Sequence, residues 1–451
     1  MKKNGFLLDL NKCVGCMACV AGCVIENGTK PGMNWRVVNG YNKLKYTDLP
    51  VFHLTLACNH CEQAPCLHNC PALAYSRDEK TSAVIHHAER CIGCKYCTWA
   101  CPYDAPKFNP DTRVIEKCNF CVDRISNGRK PACAVACPVG ALDFGLIESG
   151  MEVDVSGFVS RGIQPAIQVI PLRPENIQLV IWNDEAFPLQ PGSLNKIIPE
   201  PVSKIRLEKE WTLVPFTITV SILVGWLASV LTRGTPVSSE IFLGLGIMAL
   251  LLSSLHLGKK FRAWRSILNL RNSWLSREIL SYSLFLGFSA IYLFSKQPAI
   301  GYAGLLAGIA SLVSIDMVYK LTERKEKYAL HSSMVWLTGL MILSILSGST
   351  LLLTCIITLK FGLYVLRKIQ FFKLNVRTHL VVSFLRLCCL LFPIFYFLSG
   401  LQVNSLPLLL VLLFGEVIDR LEFYHEIDVV TPERELFATH LQMKEQSELI
   451  N

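Results

Sequence analysis

Apolar and polar residues are distributed unevenly along this 451-residue chain. From Trp211 onward, apolar stretches recur, each close to the roughly 20 residues that a helix needs to cross a bilayer. They cover residues 211–231, 240–257, 279–295, 299–319, 329–346, 349–366, 380–399 and 404–420. The pattern predicts an all-α polytopic membrane domain of eight transmembrane helices, preceded by a domain of a different kind.

Composition supports this division of the chain. Hydrophobic residues make up 51% of the sequence and charged residues only 18%, whereas soluble domains average about 25% charged residues. All but three of the 19 cysteines lie between Cys13 and Cys137. The other three, Cys355, Cys388 and Cys389, are interpreted as small apolar residues within the spans.

The sequence predicts four regions. They are a cysteine-rich domain at 1–145, an extended arm and linker at 146–209, the membrane domain at 210–425 and a polar C-terminal tail at 426–451. The start of the chain, MKKNGFLLDLNKC, has neither an apolar stretch of signal-peptide length nor a twin-arginine pair. We therefore expect no export signal in this chain.

Four motifs of four cysteines occur in the first region. The first and third, CVGCMACVAGC and CIGCKYCTWAC, have the C-x2-C-x2-C-x3-C spacing of bacterial ferredoxins. The cysteines of the four motifs are Cys13, Cys16, Cys19 and Cys23; Cys58, Cys61, Cys66 and Cys70; Cys91, Cys94, Cys97 and Cys101; and Cys118, Cys121, Cys133 and Cys137. A disulfide scaffold would require a small secreted domain, and structural zinc usually uses paired C-x2-C units. The spacing therefore predicts four 4Fe–4S clusters.

The fourth cysteine of each motif is expected to bind a neighbouring cluster. Pairing motif one with four and motif two with three predicts four ligand sets, although spacing alone does not fix this assignment. The sets are Cys13, Cys16, Cys19 and Cys137; Cys118, Cys121, Cys133 and Cys23; Cys58, Cys61, Cys66 and Cys101; and Cys91, Cys94, Cys97 and Cys70.

The order of these motifs, with CNHCEQAPCLHNCP, AVIHHAERCIGCKYCTWACPYDAPKFN and KCNFCVDRISNGRKPACAVACPVGALDFG, resembles one known family. It is the iron–sulfur electron-transfer subunit of dimethyl sulfoxide reductase-type molybdoenzymes, and the resemblance covers about residues 6–145. It implies an α+β ferredoxin-like fold. It also implies a wire of clusters between a membrane partner and a separate molybdopterin catalytic subunit.

The segment SSLHLGKKFRAWRSILNLRNSWLSREI, from Ser253 to Ile279, resembles the membrane-anchor subunit of the same reductases. GEVIDRLEFY, from Gly415 to Tyr424, resembles it more weakly. The whole chain is thus interpreted as a natural fusion of the two subunits, which would hold the wire and a quinol site together.

A quinol site needs a hydrogen-bond partner or base for the hydroxyl groups. His256 and Glu278 bracket the basic loop between the second and third spans, and the resemblance implies that the matching residues bind menaquinol. Helix-end capping for His256 and a helix-terminus charge or ion pair for Glu278 are the alternatives. Arg262 and Arg265 are candidates for the quinol head group, although basic loop residues more often determine topology.

Loop charge predicts the orientation in the membrane. Basic residues follow the second, fourth and sixth spans, whereas the other loops carry little charge beyond Arg233 and Lys296. The positive-inside rule then places the iron–sulfur domain on the cytoplasmic side of a bacterial inner membrane. Export with a catalytic partner to the periplasm is the alternative. Membrane topology also explains the net charge of +9, so no nucleic-acid partner is expected.

Other ionisable residues in the membrane domain bear on haem binding and on ion paths. His331 and His379 begin the fifth and seventh spans on one side only, so a haem crossing the membrane is not expected. Intramembrane charges are functional candidates or snorkelling side chains. They are Asp316, Lys360, Arg386, Glu416 and Asp419, of which Arg386 and Glu416 are expected to pair across helices.

Together, these features predict a subunit that oxidises menaquinol or another quinol from the membrane pool. Electrons would pass singly through four 4Fe–4S clusters to the molybdopterin subunit. Three alternatives remain: reverse flow from a dehydrogenase or hydrogenase subunit into quinone, redox-coupled ion translocation, and a pure anchor in which the membrane half only tethers the clusters. Terminal substrate reduction is not expected of this chain alone.

Overall fold

The structure is a computed structural model. It describes residues 2–41, 51–148, 155, 158–159, 162–173, 204–205, 207–320, 331–373, 380–398, 406–427, 429 and 431–436. The chain forms two compact units. The first contains the described residues up to Lys204 and those from Val429 onward, and the second lies between Ile205 and residue 428.

A three-stranded sheet lies in the first unit. Its central strand β1 (Lys2–Asp9) pairs antiparallel with β8 (Leu142–Glu148) and parallel with β9 (Ile167–Ile170), so Phe6 lies opposite both Phe144 and Ile167. Strand β9 lies in the segment predicted to be an arm and linker. Its four residues are too few to give a clear alternating pattern, so only the pairing with β1 identifies them as a strand.

The remaining secondary structure of this unit is short and alternates along the chain with the cysteine motifs. Three antiparallel hairpins pair β2 (Val37–Tyr41) with β3 (Phe52–Leu56), β4 (Tyr75–Arg77) with β5 (Val84–His86), and β6 (Lys107–Asn109) with β7 (Val114–Glu116). The helices are α1 (Ala18–Asn27), α2 (Pro65–His68), α3 (Tyr96–Ala100), α4 (Val122–Ser126) and α5 (Ala132–Val135). The architecture is α+β.

An aromatic cluster packs between the main sheet and the cysteine motifs. The ring of Phe120 lies edge-on to the rings of Phe6 and Phe144, with both centroids at 5.1 Å, and stacks on His60 at 4.0 Å. Edge-to-face and stacked aromatic pairs each add about 0.5–1.5 kcal/mol beyond the apolar area that they bury. Because Phe120 lies between Cys118 and Cys121, this core fixes the fourth motif directly.

The second unit is helical throughout its described regular structure. A short helix α6 (Leu207–Glu210) is followed by α7 (Leu213–Arg233), α8 (Ser239–Ser254), a 3-10 helix (Lys260–Ile267), α9 (Trp274–Ser295), α10 (Pro298–Lys320), α11 (Val335–Leu346), α12 (Thr350–Lys373), α13 (Leu380–Leu398) and α14 (Leu406–Glu426). Helices α7 to α14 follow the eight predicted apolar stretches in order.

Five of these helices are long and apolar enough to cross a membrane by length and composition. They are α7, α9, α10, α12 and α13. Helices α8 and α11 have 16 and 12 residues, which at about 1.5 Å per residue is short of a bilayer core of about 30 Å. Helix α14 is longer but carries several charges. The chain is therefore a multi-pass membrane protein, and the count of eight spans stays a prediction.

Small residues allow the helices to pack closely. A Cβ atom added at Gly225 on α7 would lie only 2.6 Å from the carbonyl oxygen of Gly339 on α11. Such contacts between small residues are how helices associate where water is absent. Serines begin two of the helices: Ser238 Oγ accepts from the Ile241 amide and Ser273 Oγ from the Ser276 amide, both at 3.4 Å.

Candidate electron-transfer and quinol sites

The first and third cysteine motifs have the same local backbone. Gly15 and Met17 in the first motif have φ of +69° and +64°, and Gly93 and Lys95 at the corresponding positions of the third have +71° and +60°. These left-handed residues turn the chain back toward its own thiols, so the Gly93 amide donates to Cys91 Sγ at 3.4 Å. A helix then starts one residue later in each motif and positions its remaining cysteines.

The second and fourth motifs use short helices for the same purpose. Cys66 lies in α2 and Cys133 in α5, each four residues before the last cysteine of its motif. Backbone amides also point at the thiols here: Phe120 N donates to Cys118 Sγ, Ala74 N to Cys70 Sγ and Leu142 N to Cys137 Sγ, each at 3.4 Å. Amide donors of this kind stabilise thiolate ligands and tune iron–sulfur clusters.

The thiols interact electrostatically in groups, and two groups combine the first motif with the fourth. Burial raises the pKa of Cys13, and so do the neighbouring thiols of Cys19, Cys137 and Cys16. Burial raises the pKa of Cys23 to about 12, with Cys133 and Cys121 as its thiol neighbours. Each group thus contains one cysteine from the partner motif.

The other two groups combine the second motif with the third in the same way. Burial raises the pKa of Cys61, with further contributions from the thiols of Cys58, Cys101 and Cys66. Burial likewise raises the pKa of Cys97, with contributions from Cys94, Cys70 and Cys91. A buried thiol whose neighbours are thiols resists ionisation, so positively charged iron is needed to hold such a group as thiolates.

One group lines an internal cavity. Cys58, Cys61, Cys66 and Cys101 surround it together with apolar and aromatic neighbours such as Tyr103. Among the described residues, no three Cys, His, Asp or Glu side chains come close enough together to bind a single metal ion. Four cysteines around a space lined mainly by apolar atoms match the ligand set of an iron–sulfur cube, so the residues fit the group that the motifs imply.

The structure places the predicted quinol residues around the 3-10 helix. His256 lies half-buried in the turn after α8, and Glu278 lies buried in the second turn of α9. Arg262 and Arg265 are half-buried on the 3-10 helix, where Arg265 packs over the ring of Trp264. The exposed side chains of Phe261 and Trp264 give this segment the aromatic and basic character typical of a membrane interface.

Glu278 has charged neighbours from two other helices. Its carboxyl interacts electrostatically with Arg420 on α14 and Asp316 on α10. Asp316 accepts from the Val335 amide at 3.1 Å at the start of α11. Arg420 donates to the Ser333 carbonyl at 3.2 Å and packs over the ring of Tyr319. The arrangement offers two buried carboxyl groups to one guanidinium, which suits a site that accepts protons.

A second set of buried charges joins three helices. Glu416 on α14 pairs with Lys360 on α12 at 2.8 Å and with Arg386 on α13 at 2.7 Å. Asp419 pairs with Arg386 at 3.0 Å and with Arg367 at 2.9 Å. The expected pairing of Arg386 with Glu416 is confirmed, and Lys360 is fully buried rather than snorkelling.

The sequence did not single out Arg420 and Glu422. Arg367 was expected in the basic loop after the sixth span, but it lies buried within α12. Arg367 lies 2.9 Å from Asp419 and 3.5 Å from Glu422, so all three belong to the same buried surface of α12 and α14. A signal was present in GEVIDRLEFY. Its charges recur at spacings of three and four residues and therefore share a face of a helix.

Of the two histidines that could bear on haem binding, the structure describes one. His331 is buried, stacks on Phe423 with centroids 4.8 Å apart, and shares a hydrogen bond of 2.8 Å with Ser333. These contacts account for His331 as a packed polar residue. His379 lies outside the described residues.

Each half of the chain matches a known protein family. Residues 50–147 match the family described as 4Fe-4S dicluster domain, and residues 209–377 match the family described as DMSO reductase anchor subunit. Thus the first family covers three of the four cysteine motifs. The second covers α7 to α12 and both His256 and Glu278.

Curated relatives match about a third of the chain or slightly more. One chain of the anaerobic dimethyl sulfoxide reductase of Escherichia coli is 36% identical over 152 residues, which are 32% of this chain and 74% of the relative. A subunit of the sulfite dehydrogenase of Allochromatium vinosum is 35% identical over 209 residues, covering 40% and 87%. A subunit of the tetrathionate reductase of Salmonella typhimurium is 40% identical over 148 residues, covering 32% and 59%.

Proposed function

Since this chain belongs to the dimethyl sulfoxide reductase family and joins its iron–sulfur electron-transfer subunit to its membrane-anchor subunit, we propose that it oxidises quinol and relays the electrons through four 4Fe–4S clusters. The observation that carries the proposal is that thiols of the first motif interact with thiols of the fourth, and thiols of the second with those of the third, with Cys58, Cys61, Cys66 and Cys101 around one cavity. A separate molybdopterin catalytic subunit receives the electrons and reduces the terminal substrate.

The four ligand sets are those given by crosswise pairing of the motifs. The electrostatic neighbours of Cys13, Cys23, Cys61 and Cys97 support them, because each includes thiols from the partner motif. When bound, the clusters supply one-electron transfer, which converts the two-electron oxidation of a quinol into single steps. The protein holds the thiols in place, and its backbone amides donate hydrogen bonds to them.

Quinol oxidation also releases two protons, which the membrane half must accept. We assign proton acceptance to His256 and Glu278 and head-group binding to Arg262 and Arg265. Glu278 is supported by its burial and by the nearby charges of Arg420 and Asp316. Buried ionisable groups at membrane depth are costly and are usually kept for function.

The test is to measure quinol oxidation and cluster content in the same preparations. We expect His256→Ala and Glu278→Gln to lower menaquinol oxidation by at least tenfold while iron content and the cluster spectra stay unchanged. His425→Ala and Glu240→Gln are matched controls, because both residues are exposed in the same unit. Unchanged oxidation in both test variants would refute the assignment of this site.

We extend the proposal to eight spans with the iron–sulfur domain on the cytoplasmic side. The basic residues around the 3-10 helix, including Lys259 and Lys260, support this orientation. Cysteine labelling in sealed inverted and right-side-out vesicles would test it, and labelling of the opposite side would indicate export with the catalytic partner. Purification of the complex with molybdenum analysis would test the partner.

The direction of electron flow and the coupling to ions need separate tests. Reverse electron flow is supported by the similarity to a sulfite dehydrogenase subunit. Quinone reduction by the intact complex would reveal it. Redox-coupled ion translocation is the second candidate function, favoured by the buried charges of Lys360, Arg386 and Glu416. For it, Glu416→Gln must abolish proton uptake by vesicles while quinol oxidation persists.

A further inference from the structure

Arg36, immediately before β2, is a cation buried among cysteines. Only 1% of its surface is exposed, and an isolated buried charge is strongly unfavourable unless an opposite charge compensates it. Burial lowers the pKa of Arg36, but the thiols of Cys133, Cys118, Cys19 and Cys23 outweigh burial and raise it. The compensating charge for this guanidinium is therefore that of cysteine thiolates.

The position of the guanidinium is fixed by neighbours on several sides. Arg36 Nη1 donates to Thr55 Oγ1 at 3.2 Å, and the same hydroxyl lies 3.4 Å from Cys19 Sγ. The guanidinium carbon lies 4.5 Å from the centroid of the Phe6 ring. Nε and Nη2 are buried without hydrogen-bond partners among the described residues. Their positive charge can therefore interact with a cluster bound by the thiols.

We propose that Arg36 sets the reduction potentials of two of the four clusters. They are the cluster held by Cys13, Cys16, Cys19 and Cys137 and the cluster held by Cys118, Cys121, Cys133 and Cys23. Reduction adds one electron to a group that already carries the charge of four thiolates. A fixed cation in a low-dielectric interior stabilises the reduced form more than the oxidised form, so Arg36 raises both potentials.

The other pair of thiol groups has different charged neighbours. Lys117 donates to the Val84 carbonyl and acts electrostatically on Cys66, and Lys204 donates to the Cys101 carbonyl at 2.6 Å. For Cys94, the strongest influences are burial and the thiol of Cys70. Removal of the Arg36 charge should therefore leave this second pair of potentials in place.

The inference rests on the four clusters of the proposed function. An EPR-monitored redox titration of the purified full chain tests the inference separately from that proposal. Iron is measured first, because four clusters require about sixteen irons per chain. Less iron in the unaltered protein would refute the four-cluster proposal. With full iron, we expect Arg36→Gln to lower the reduction equilibrium constants of two clusters at least tenfold, which is about 59 mV for a one-electron couple.

Three further variants make the result specific. Arg36→Lys keeps the charge and should shift both potentials less than Arg36→Gln. Thr55→Val removes the hydroxyl beside Cys19 Sγ and should give a smaller downward shift of the Cys19 cluster. Arg129→Gln, an exposed residue of the same unit, removes one positive charge and should shift none.

Each alternative outcome contradicts the role of Arg36. Unchanged potentials in an iron-replete Arg36→Gln protein, an equal shift of all four clusters, or an equal effect of Arg129→Gln would do so. If Arg36→Gln binds less iron, the potentials are titrated in the fraction that retains its iron: a lowered potential of the two clusters supports the inference, and unchanged potentials refute it.

Discussion

The guanidinium of Arg386 and the carboxylate of Glu416 form an ion pair of 2.7 Å between α13 and α14, with both side chains almost completely buried. Glu416 also pairs with Lys360, and Arg386 with Asp419. Each charge is thus satisfied by more than one partner from another helix. The pairing fixes how α12, α13 and α14 pack against one another.

We predict that Arg386→Met destabilises the membrane unit strongly. Removal of one partner from a buried ion pair leaves an uncompensated charge and costs about 3–5 kcal/mol. The loss is measured as a lower thermal unfolding midpoint in detergent. Lys130→Met, which breaks the exposed pair with Asp143, is the control and should leave the midpoint unchanged. An equal effect of the two substitutions would contradict this role for the Arg386 charge.

Crosswise ligation predicts that cysteines far apart in the sequence bind the same cluster, whereas cysteines of one motif bind different clusters. Cys66 and Cys70 are four residues apart but belong to different proposed clusters, whereas Cys66 and Cys101 share one. We expect Cys66→Ser and Cys101→Ser to alter the same EPR signal, and Cys70→Ser to alter the signal that Cys94→Ser alters. If Cys66→Ser and Cys70→Ser alter the same signal, ligation follows single motifs instead.

The turn of the first motif should not tolerate a side chain at Gly15. Its φ of +69° is strained for alanine, at about 1–2 kcal/mol, and an added Cβ would lie 2.8 Å from the ring of His53. We expect Gly15→Ala to lower the urea concentration at which half of the cluster absorbance is lost. Gly28→Ala has a similar φ of +59° with open space around it, so its effect should be clearly smaller.

Burial of His86 should make the first unit sensitive to acid. Burial lowers the pKa of His86 from 6.5 to about 4, aided by Lys117. Between these values the unfolded chain binds the proton and the folded chain does not, so stability falls as pH falls from 6.5 toward 4. The loss is on the order of 3 kcal/mol. In unfolding experiments across this range, His86→Gln should lose less stability than the unaltered protein, and parallel curves would exclude this contribution.

Much of the architecture could be predicted from local patterns. The cysteine spacing predicted iron–sulfur chemistry because three ligands of a cluster come from one short loop. The apolar stretches predicted helices α7 to α14 in order, because residues facing lipid must be apolar over a length set by the bilayer. His256 and Glu278 were predicted as quinol-site residues from their positions around a basic loop and from the family resemblance, and this assignment stays a prediction.

Contacts between distant segments could not be read from those patterns. Strand β9 is four residues long and becomes a strand only by pairing with β1. The short lengths of α8 and α11 could not be predicted, because the apolar sequence continues beyond the helix into the adjoining turn. No local pattern singled out Arg420, yet it is buried and interacts with Glu278.

The iron–sulfur chemistry of this protein and its division into two halves could be predicted from the sequence, because both depend on residue type at fixed local spacing. Which buried charges meet depends on the folded chain. Arg36 is a single arginine with no local motif around it, and it becomes the neighbour of Cys19 and Cys133 through the folding of separate loops. Electrostatic interactions depend on distance and burial in space, so these relationships arise only when the chain is folded.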